Sequence, residues 1–257
     1  MQKLFWCVLF LLVPILGVAT FWLAPFGELW GGRAIWLPRD ISQHGHTIDH
    51  LFYFILGLTG VVFVITEVAL VWFLWRYDAK SNRDPIKFSH GSHNLEIVWT
   101  ILPAATLLFI AIYQMRAWAE VKMLPPRNTP PTVEVMARQF EWRLRYPGPD
   151  GVIGTRDDIY HVNDLHVPID ETVLVELKSM DVLHDFFLPH LRIKQDAVPG
   201  MNIPVWFTPT EVGQYDLVCA ELCGWGHYKM KGRLTVESRK DHDAWLAKMA
   251  AEQAATK

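Results

Sequence analysis

The segment Cys219-Ala-Glu-Leu-Cys-Gly-Trp-Gly-His-Tyr-Lys-Met230 brings two thiols, a carboxylate, an imidazole and a thioether together in a chain whose only other cysteine is Cys7. Cys223 follows Cys219 by four positions, His227 follows by four more, and Met230 by three. Thiolate, imidazole and thioether together select copper over calcium or magnesium, because soft ligands suit soft ions. A mononuclear blue-copper site needs one Cys, two His and a distant Met. Two cysteines extend this to two coppers bridged by both thiolates, each with a terminal imidazole. The segment supplies only His227, so a second imidazole must come from His161, His166, His184, His190 or His242. A structural zinc site favours Cys-x-x-Cys pairs without Met, and haem attachment would read Cys-x-x-Cys-His. A Cys219–Cys223 disulfide in an oxidising compartment leaves His227 and Met230 without a purpose. Copper is the reading that uses every donor, with zinc, a disulfide and coincidence as the alternatives.

The elements that must position these donors fall into two halves. Apolar residues make up 51% of the 257 and concentrate in the first half, which points to a membrane. Leu4 to Phe26, Leu51 to Trp75 and Ile97 to Trp118 are each near or above the ~20 apolar residues a helix needs to cross the hydrocarbon core. Arg76, Lys80, Arg83 and Lys87 lie between the second and third runs. That loop is therefore expected inside, with Gly31 to His50 and everything after Trp118 outside, on the periplasmic side in a bacterium. The first run is read as a retained helix, with a signal peptide ending near Ala19 as the alternative. A net charge of −3 excludes a broad basic surface for nucleic acid, and three cysteines cannot form a disulfide framework.

Four prolines in residues 123–132 stiffen a linker. Beyond it the period changes to the alternation of half-buried strands, in 132–147, 172–179, 203–219 and 232–238. Residues 146–160 read as a hairpin loop, since Asp150, Asp157 and Asp158 do not have EF-hand spacing. Residues 241–255 read as a terminal helix. The expected layout is an N-terminal segment (1–30), a transmembrane helical hairpin (31–122), the linker (123–132), an all-β domain (133–238) and a C-terminal helix (239–257).

The segment 219–230 resembles the binuclear copper (CuA) loop of cytochrome c oxidase subunit II. The stretches Asp-Val-Leu-His-Asp-Phe-Phe-Leu-Pro (181–189), Lys-Gln-Asp-Ala-Val-Pro-Gly (194–200) and Glu-Ile-Val-Trp-Thr-Ile-Leu-Pro-Ala (96–104) are similar to that family too, in the same order. The resemblance implies a cupredoxin-like Greek-key domain held at the membrane by the helical hairpin. It picks out His184 as the missing imidazole. Cys219 and Cys223 would bridge the two coppers, His184 and His227 would be terminal ligands, and Met230 and the Glu221 carbonyl would be weak axial ones. The Glu221 side chain would ligate a magnesium ion shared with subunit I. Glu96 would stand at the mouth of a proton path into that subunit. The implied partners are subunit I and other oxidase subunits, with cytochrome c or a cytochrome-containing complex as donor.

One departure bears on how electrons arrive. Where the family has Trp directly after the Gln of Ala-Arg-Gln-Phe-Glu-Trp (137–142), this chain has Phe140, with Trp142 two residues on and so expected on the same strand face. Phe140 and Trp142 are both candidates for receiving electrons, Trp225 is a further aromatic near the metal, and Asp181 is a candidate docking acid. The implied function is to take electrons from cytochrome c at the copper pair and pass them to the haems of subunit I, for oxygen reduction coupled to proton translocation. The corresponding subunit of a nitric oxide reductase is the second reading. A quinol oxidase subunit would lack the copper ligands, and a copper-storage protein would have no use for Glu96.

Overall fold

The computed structural model describes residues 2–23, 37–77, 88, 90–123, 126 and 129–256. Two compact units result: one formed by residues 1–36 and 49–115, the other by 37–48 and 116–257.

The first unit is helical. Helix α1 (Gln2–Leu23) carries Pro14 within it. Helix α2 (Gly45–Arg76) begins within the other unit, and helix α3 (His93–Trp118) ends there, running on into a wider turn at Ala119–Met123. Among the described residues, α2 and the run His93–Met123 are long and apolar enough to cross a membrane. Their outward side chains are apolar and exposed, as Val61, Ile65, Leu102 and Leu107 are, which suits a lipid or protein surround rather than water. Phe54 of α2 packs against Phe109 and Tyr113 of α3, with ring centroids at 6.2 and 5.4 Å. The helix α2 starts six residues before the apolar run at Leu51, taking in most of the His44–His50 segment. Arg76, the first basic residue of the loop expected inside, ends α2, while residues 78–87 of that loop and the Gly31–Trp36 stretch lie outside the described residues.

The second unit is a sandwich of ten strands: β1 (Val133–Arg138), β2 (Glu141–Tyr146), β3 (Ile159–Val162), β4 (Asp164–Pro168), β5 (Val173–Ser179), β6 (His184–Leu188), β7 (Ile193–Ala197), β8 (Ile203–Phe207), β9 (Gly213–Cys219) and β10 (Lys231–Glu237), closed by helix α4 (Arg239–Thr256). One sheet runs β3-β2-β1-β5-β8 and the other β4-β10-β9-β6-β7. The pairs β1–β5 and β10–β4 are parallel and the rest antiparallel. The period-two pattern does what it should: Val173, Val175 and Leu177 of β5 and Trp142, Leu144 and Tyr146 of β2 point inward, and the residues between them face out. The all-β domain expected over 133–238 is thus observed, as two packed sheets. Residues 37–48 pack on it as well: Ile41 is fully buried, its amide donates to the His190 carbonyl at 3.0 Å, and Ser42 bridges to Pro209.

Residues 147–158 form the β2–β3 loop, and its acids are spent locally. Thr155 donates to Asp157 at 2.5 Å, Gly154 N–H donates to Asp158 at 2.8 Å, and Arg145 pairs with Asp158 at 3.3 Å.

One side chain ties the sheets together. Tyr146 of β2 is fully buried, and its hydroxyl accepts from the His166 amide at 2.8 Å and donates to the His166 carbonyl at 3.2 Å. Burial pushes this phenol well above its ordinary range, so it stays neutral. In a parallel pair, the N–H and C=O of a given residue point the same way. His166 lies on edge strand β4 and turns both groups away from β10, where Tyr146 meets them. Tyr146→Phe should lower the unfolding free energy of this unit by about 1–3 kcal/mol, the cost of leaving a buried amide unpaired. Denaturant unfolding of the full chain in detergent checks this, with a lower midpoint at unchanged slope expected.

Candidate metal centre

The sulfur donors collect at one end of the second sheet. His184 is the first residue of β6, Cys219 the last of β9, and Met230 immediately precedes β10. These three strands are consecutive neighbours, and Phe186 pairs with Cys219. The 220–229 loop is closed at its base by the Cys219 amide donating to the Met230 carbonyl at 3.1 Å, and the Ala220 amide donates to the Asp185 carbonyl at 3.2 Å. Within the loop, amides of His227, Lys229 and Met230 bond back three residues, winding it into a tight turn over His227–Lys229.

The result is a compact set of donors. Cys219 Sγ lies 3.9 Å from Cys223 Sγ, 3.9 Å from His184 Nδ1, and 3.2 Å from the Glu221 carbonyl oxygen. Cys223 Sγ lies 3.7 Å from His227 Nδ1 and 3.8 Å from Met230 Sδ. Both cysteines are free and buried, and His184 and Met230 are buried with them. One donor atom each from His184, Cys219 and Cys223 falls within 4.8 Å of the other two. Two sulfurs flanked by one imidazole nitrogen apiece, with a thioether and a carbonyl at the margin, fit a pair of soft ions and leave no donor unused.

The electrostatics of the cluster point the same way. Burial would raise the Cys219 thiol, but the hydrogen bonds from His184, nearby backbone groups and His227 outweigh it and hold the thiol at about 6. Burial and the charge on Cys219 push Cys223 up to about 11. One thiolate forms readily and the second is resisted by the first, so a cation between them is what would let both ionise.

Asp181 accounts for the orientation of His184. Its Oδ1 lies 2.8 Å from His184 Nε2, leaving Nδ1 turned to the sulfur, and it also accepts from the Gln139 amide at 2.7 Å and the Val182 amide at 2.7 Å. A carboxylate holding the far nitrogen of a ligating imidazole fixes tautomer and ring plane. The residue read from sequence as a docking acid is thus bonded within the site. Gln139 was not foreseen either: its amide nitrogen donates to the Cys223 carbonyl at 2.6 Å, across 84 residues of chain, and no sequence signal announces such a contact. Of the other candidate imidazoles, His161 and His166 cluster elsewhere with Asp164. His190 lies 5.1 Å from the Tyr215 ring, and His242 bonds Glu237 at 3.3 Å.

The two aromatic candidates do not share a face. Gln139 and Phe140 form the turn between β1 and β2, so strand alternation does not extend back from Trp142. Trp142 has 0% exposure and packs its ring against His184 and Phe186, at 6.4 and 5.6 Å. It lies behind the cluster, out of reach of a docking partner. Phe140 is half-buried and meets Trp225 edge-on at 5.2 Å, and Trp225 is 81% exposed. Trp225 stands between two glycines that the clasp requires. Gly224 has φ +136°, and a Cβ there would come 2.8 Å from the Gln139 amide, while a Cβ on Gly226 would overlap the Phe140 ring.

Comparison with known proteins fits this architecture. Residues 33–117 match the transmembrane domain of cytochrome c oxidase subunit II, and residues 154–237 match its periplasmic domain. The alternative cytochrome c oxidase subunit 2 of Bradyrhizobium diazoefficiens is 32% identical over 93% of this chain and 90% of its own length. The chain belongs to the cytochrome c oxidase subunit II family. A cytochrome c oxidase subunit 2 from Thermostichus vulcanus is 27% identical over 81% of this chain and 77% of its own length. Among solved structures, the periplasmic domain of subunit II of cytochrome oxidase from Bradyrhizobium japonicum is similar at a TM-score of 0.44 and 24% identity, over 51% of this chain and 99% of that one. Copper is the metal this family implies, and the His/Cys/Cys group here could hold it.

The remaining expected site residues are separate. Glu221 is half-buried in the loop, and neither of the donor clusters found among the described residues includes its carboxylate. Glu96 lies in the first turn of α3, its carboxylate 3.9 Å from His93 Nδ1, and both side chains are exposed.

Gly226→Ala should drive Phe140 or the loop aside and lower copper occupancy, and Phe140→Ala in the same chain should restore it. Copper counted per chain in the three variants checks this; equal occupancy in Gly226→Ala and the parent would mean that the clasp does not position the loop.

Proposed function

We infer that this chain is the electron-receiving subunit of a membrane-bound cytochrome c oxidase, holding a binuclear copper centre between Cys219 and Cys223. The observation that carries the reading is the pair of free, buried thiols 3.9 Å apart, each with an imidazole Nδ1 beside it. Cys219, Cys223, His184 and His227 would hold the copper, with the Met230 thioether and the Glu221 carbonyl beside them, and copper held there would supply a one-electron relay.

The chain's own residues make that relay economical. Cys219, His184 and Met230 are anchored at the ends of hydrogen-bonded strands, so their donor atoms stay in place whichever charge the metal carries. Asp181 keeps His184 Nδ1 aimed inward, and Gln139 pins the Cys223 carbonyl. The donor protein, a cytochrome c or a cytochrome-bearing complex, meets the surface at Trp225, whose ring edge abuts Phe140 directly above the loop. Electrons pass on to the haems of subunit I, where oxygen is reduced. The Glu221 carboxylate would help hold a magnesium ion shared with subunit I. Glu96, in the first turn of α3, gathers protons at the mouth of a path into subunit I. The sandwich lies on the periplasmic side and the basic 76–90 loop on the cytoplasmic side. The relatives reported above are named as cytochrome c oxidase subunits, which favours this reading over a nitric oxide reductase.

The full chain purified in detergent and loaded with copper should hold two ions per chain, with one unpaired electron shared between them in the paramagnetic resonance spectrum, and Cys219→Ser should abolish that signal. A single copper with a mononuclear spectrum would overturn the binuclear reading. In the assembled oxidase, Trp225→Ala should slow electron transfer from reduced cytochrome c roughly tenfold or more, the usual scale for losing an aromatic anchor, with copper content unchanged. Slowing by Phe140→Ala without any effect of Trp225→Ala would move the point of contact to Phe140.

A further inference from the structure

A second group of donors lies away from the sulfur cluster and has no part in the relay. It forms where β3 turns into β4, beneath α4. Asn163, at φ 59°, reverses the chain there, and it is pinned by the Trp142 amide donating to its side chain at 2.8 Å and the Arg233 amide donating to its carbonyl at 2.7 Å. The reversal sets His161, on the edge of one sheet, opposite Asp164 and His166, on the edge of the other. One donor atom from each of the three lies within 4.8 Å of the other two.

The surroundings orient these donors. Glu237 Oε1 lies 3.0 Å from His166 Nδ1; in the neutral tautomer that donates Nδ1–H to it, the Nε2 lone pair is left for an ion. Nε2 is 3.6 Å from Asp164 Oδ1. That is too long for a hydrogen bond, but close to the separation of about 3.4 Å expected for two ligands on one tetrahedral ion with bonds near 2.1 Å. Thr235 donates to the same Asp164 oxygen at 2.8 Å and Arg233 Nε approaches the other at 3.6 Å, fixing the carboxylate. The His166 ring is stacked on Trp245 of α4 at 4.0 Å and 5°, and His161 meets the same indole edge-on at 5.5 Å. All three candidate ligands are half-buried. A carboxylate holding the far nitrogen of an imidazole, with the near nitrogen facing a second His and an Asp, is the arrangement that supports an ion with three protein ligands and a water in the fourth position.

We propose that His161, Asp164 and His166 form a second metal site, for a divalent ion of the zinc or copper(II) class, with Glu237 orienting His166 and Trp245 fixing its ring. Nitrogen and carboxylate donors without sulfur suit these borderline ions and set the site apart from the thiolate cluster. Since His166 stacks on α4 and Gln253 of α4 bonds both backbone groups of Tyr160 on β3, an ion there would fasten the β3–β4 corner under the helix. The proposal is independent of the copper relay.

The test is a zinc titration of the assembled, copper-loaded oxidase, in which the thiolate cluster is already filled. The probe is Zn2+ alone, followed by calorimetry, with bound zinc and copper counted per complex. Parent oxidase should bind one more equivalent of zinc than His161→Gln oxidase, with copper equal in both. His161 makes only ring contacts, so this variant should leave the fold intact. Glu237→Gln should weaken the zinc affinity about 10–100-fold, as loss of a partner that orients a ligand does. The free full chain should show a zinc-dependent rise in unfolding temperature that His161→Gln removes. Equal zinc uptake by parent and His161→Gln, or no saturable uptake by either, overturns the proposal and leaves the cluster as an ion-paired seam under α4. Loss of copper without change in zinc would count against the relay and not against this site.

Discussion

Two thiols held 3.9 Å apart in a pocket closed to water cannot both carry charge unaided. The fold nonetheless holds them there. Cys219 is at the end of a central strand and Cys223 at the bend of a loop whose two ends are hydrogen-bonded together. The apolar wall behind them, Trp142 and Phe186, keeps the local dielectric low and sharpens the repulsion between like charges. With both sulfurs ionised the cluster calls for positive charge between them, and the β-sandwich holds the donors where such charge would sit. The orienting bonds from Asp181 and Gln139 serve the same end, since a ligand set that need not move loses little energy to rearrangement when charge is added or withdrawn.

The frame and the site are separated along the sequence. Strands β6, β9 and β10 bring one donor or loop end each, and β1 and β2 contribute the turn that rests on the loop and Trp142, whose ring packs against His184. His242, another imidazole the sequence offered, lies in α4 and bonds Glu237, away from the sulfur cluster. The helical unit is made of elements that sequence alone marks out: long apolar runs whose exposed faces would be untenable in water.

The parts legible in the sequence are those with a local period or a local motif. The β-sandwich follows from two-residue alternation in β2 and β5, and the α3 span from its unbroken apolar run. The soft-ligand character of 219–230 needed no structure. What stayed hidden depends on contacts between distant segments. Trp142 was placed on the face of Phe140 because alternation was carried through residues 139–140, but those residues turn the chain and reset its phase. Asp181 is exposed, as a surface acid should be, but its bond to His184 three residues on, across a bend, has no sequence signal. Gln139 reaches Cys223 only after the sheet has assembled, and the meeting of His161 with His166 depends on a single left-handed residue at Asn163.

The hydroxyl of Tyr146 has a consequence beyond its contribution to stability. An outer strand exposes a row of unpaired amides and carbonyls that invites pairing with a second chain. On β4 the outward groups of His166 are already engaged by a side chain from the opposite sheet, and α4 lies across the same border through Trp245. These contacts cover the border at His166 with groups of the chain itself. A newly made chain can therefore wait at the membrane for its metal without offering that strand as a template for misassembly.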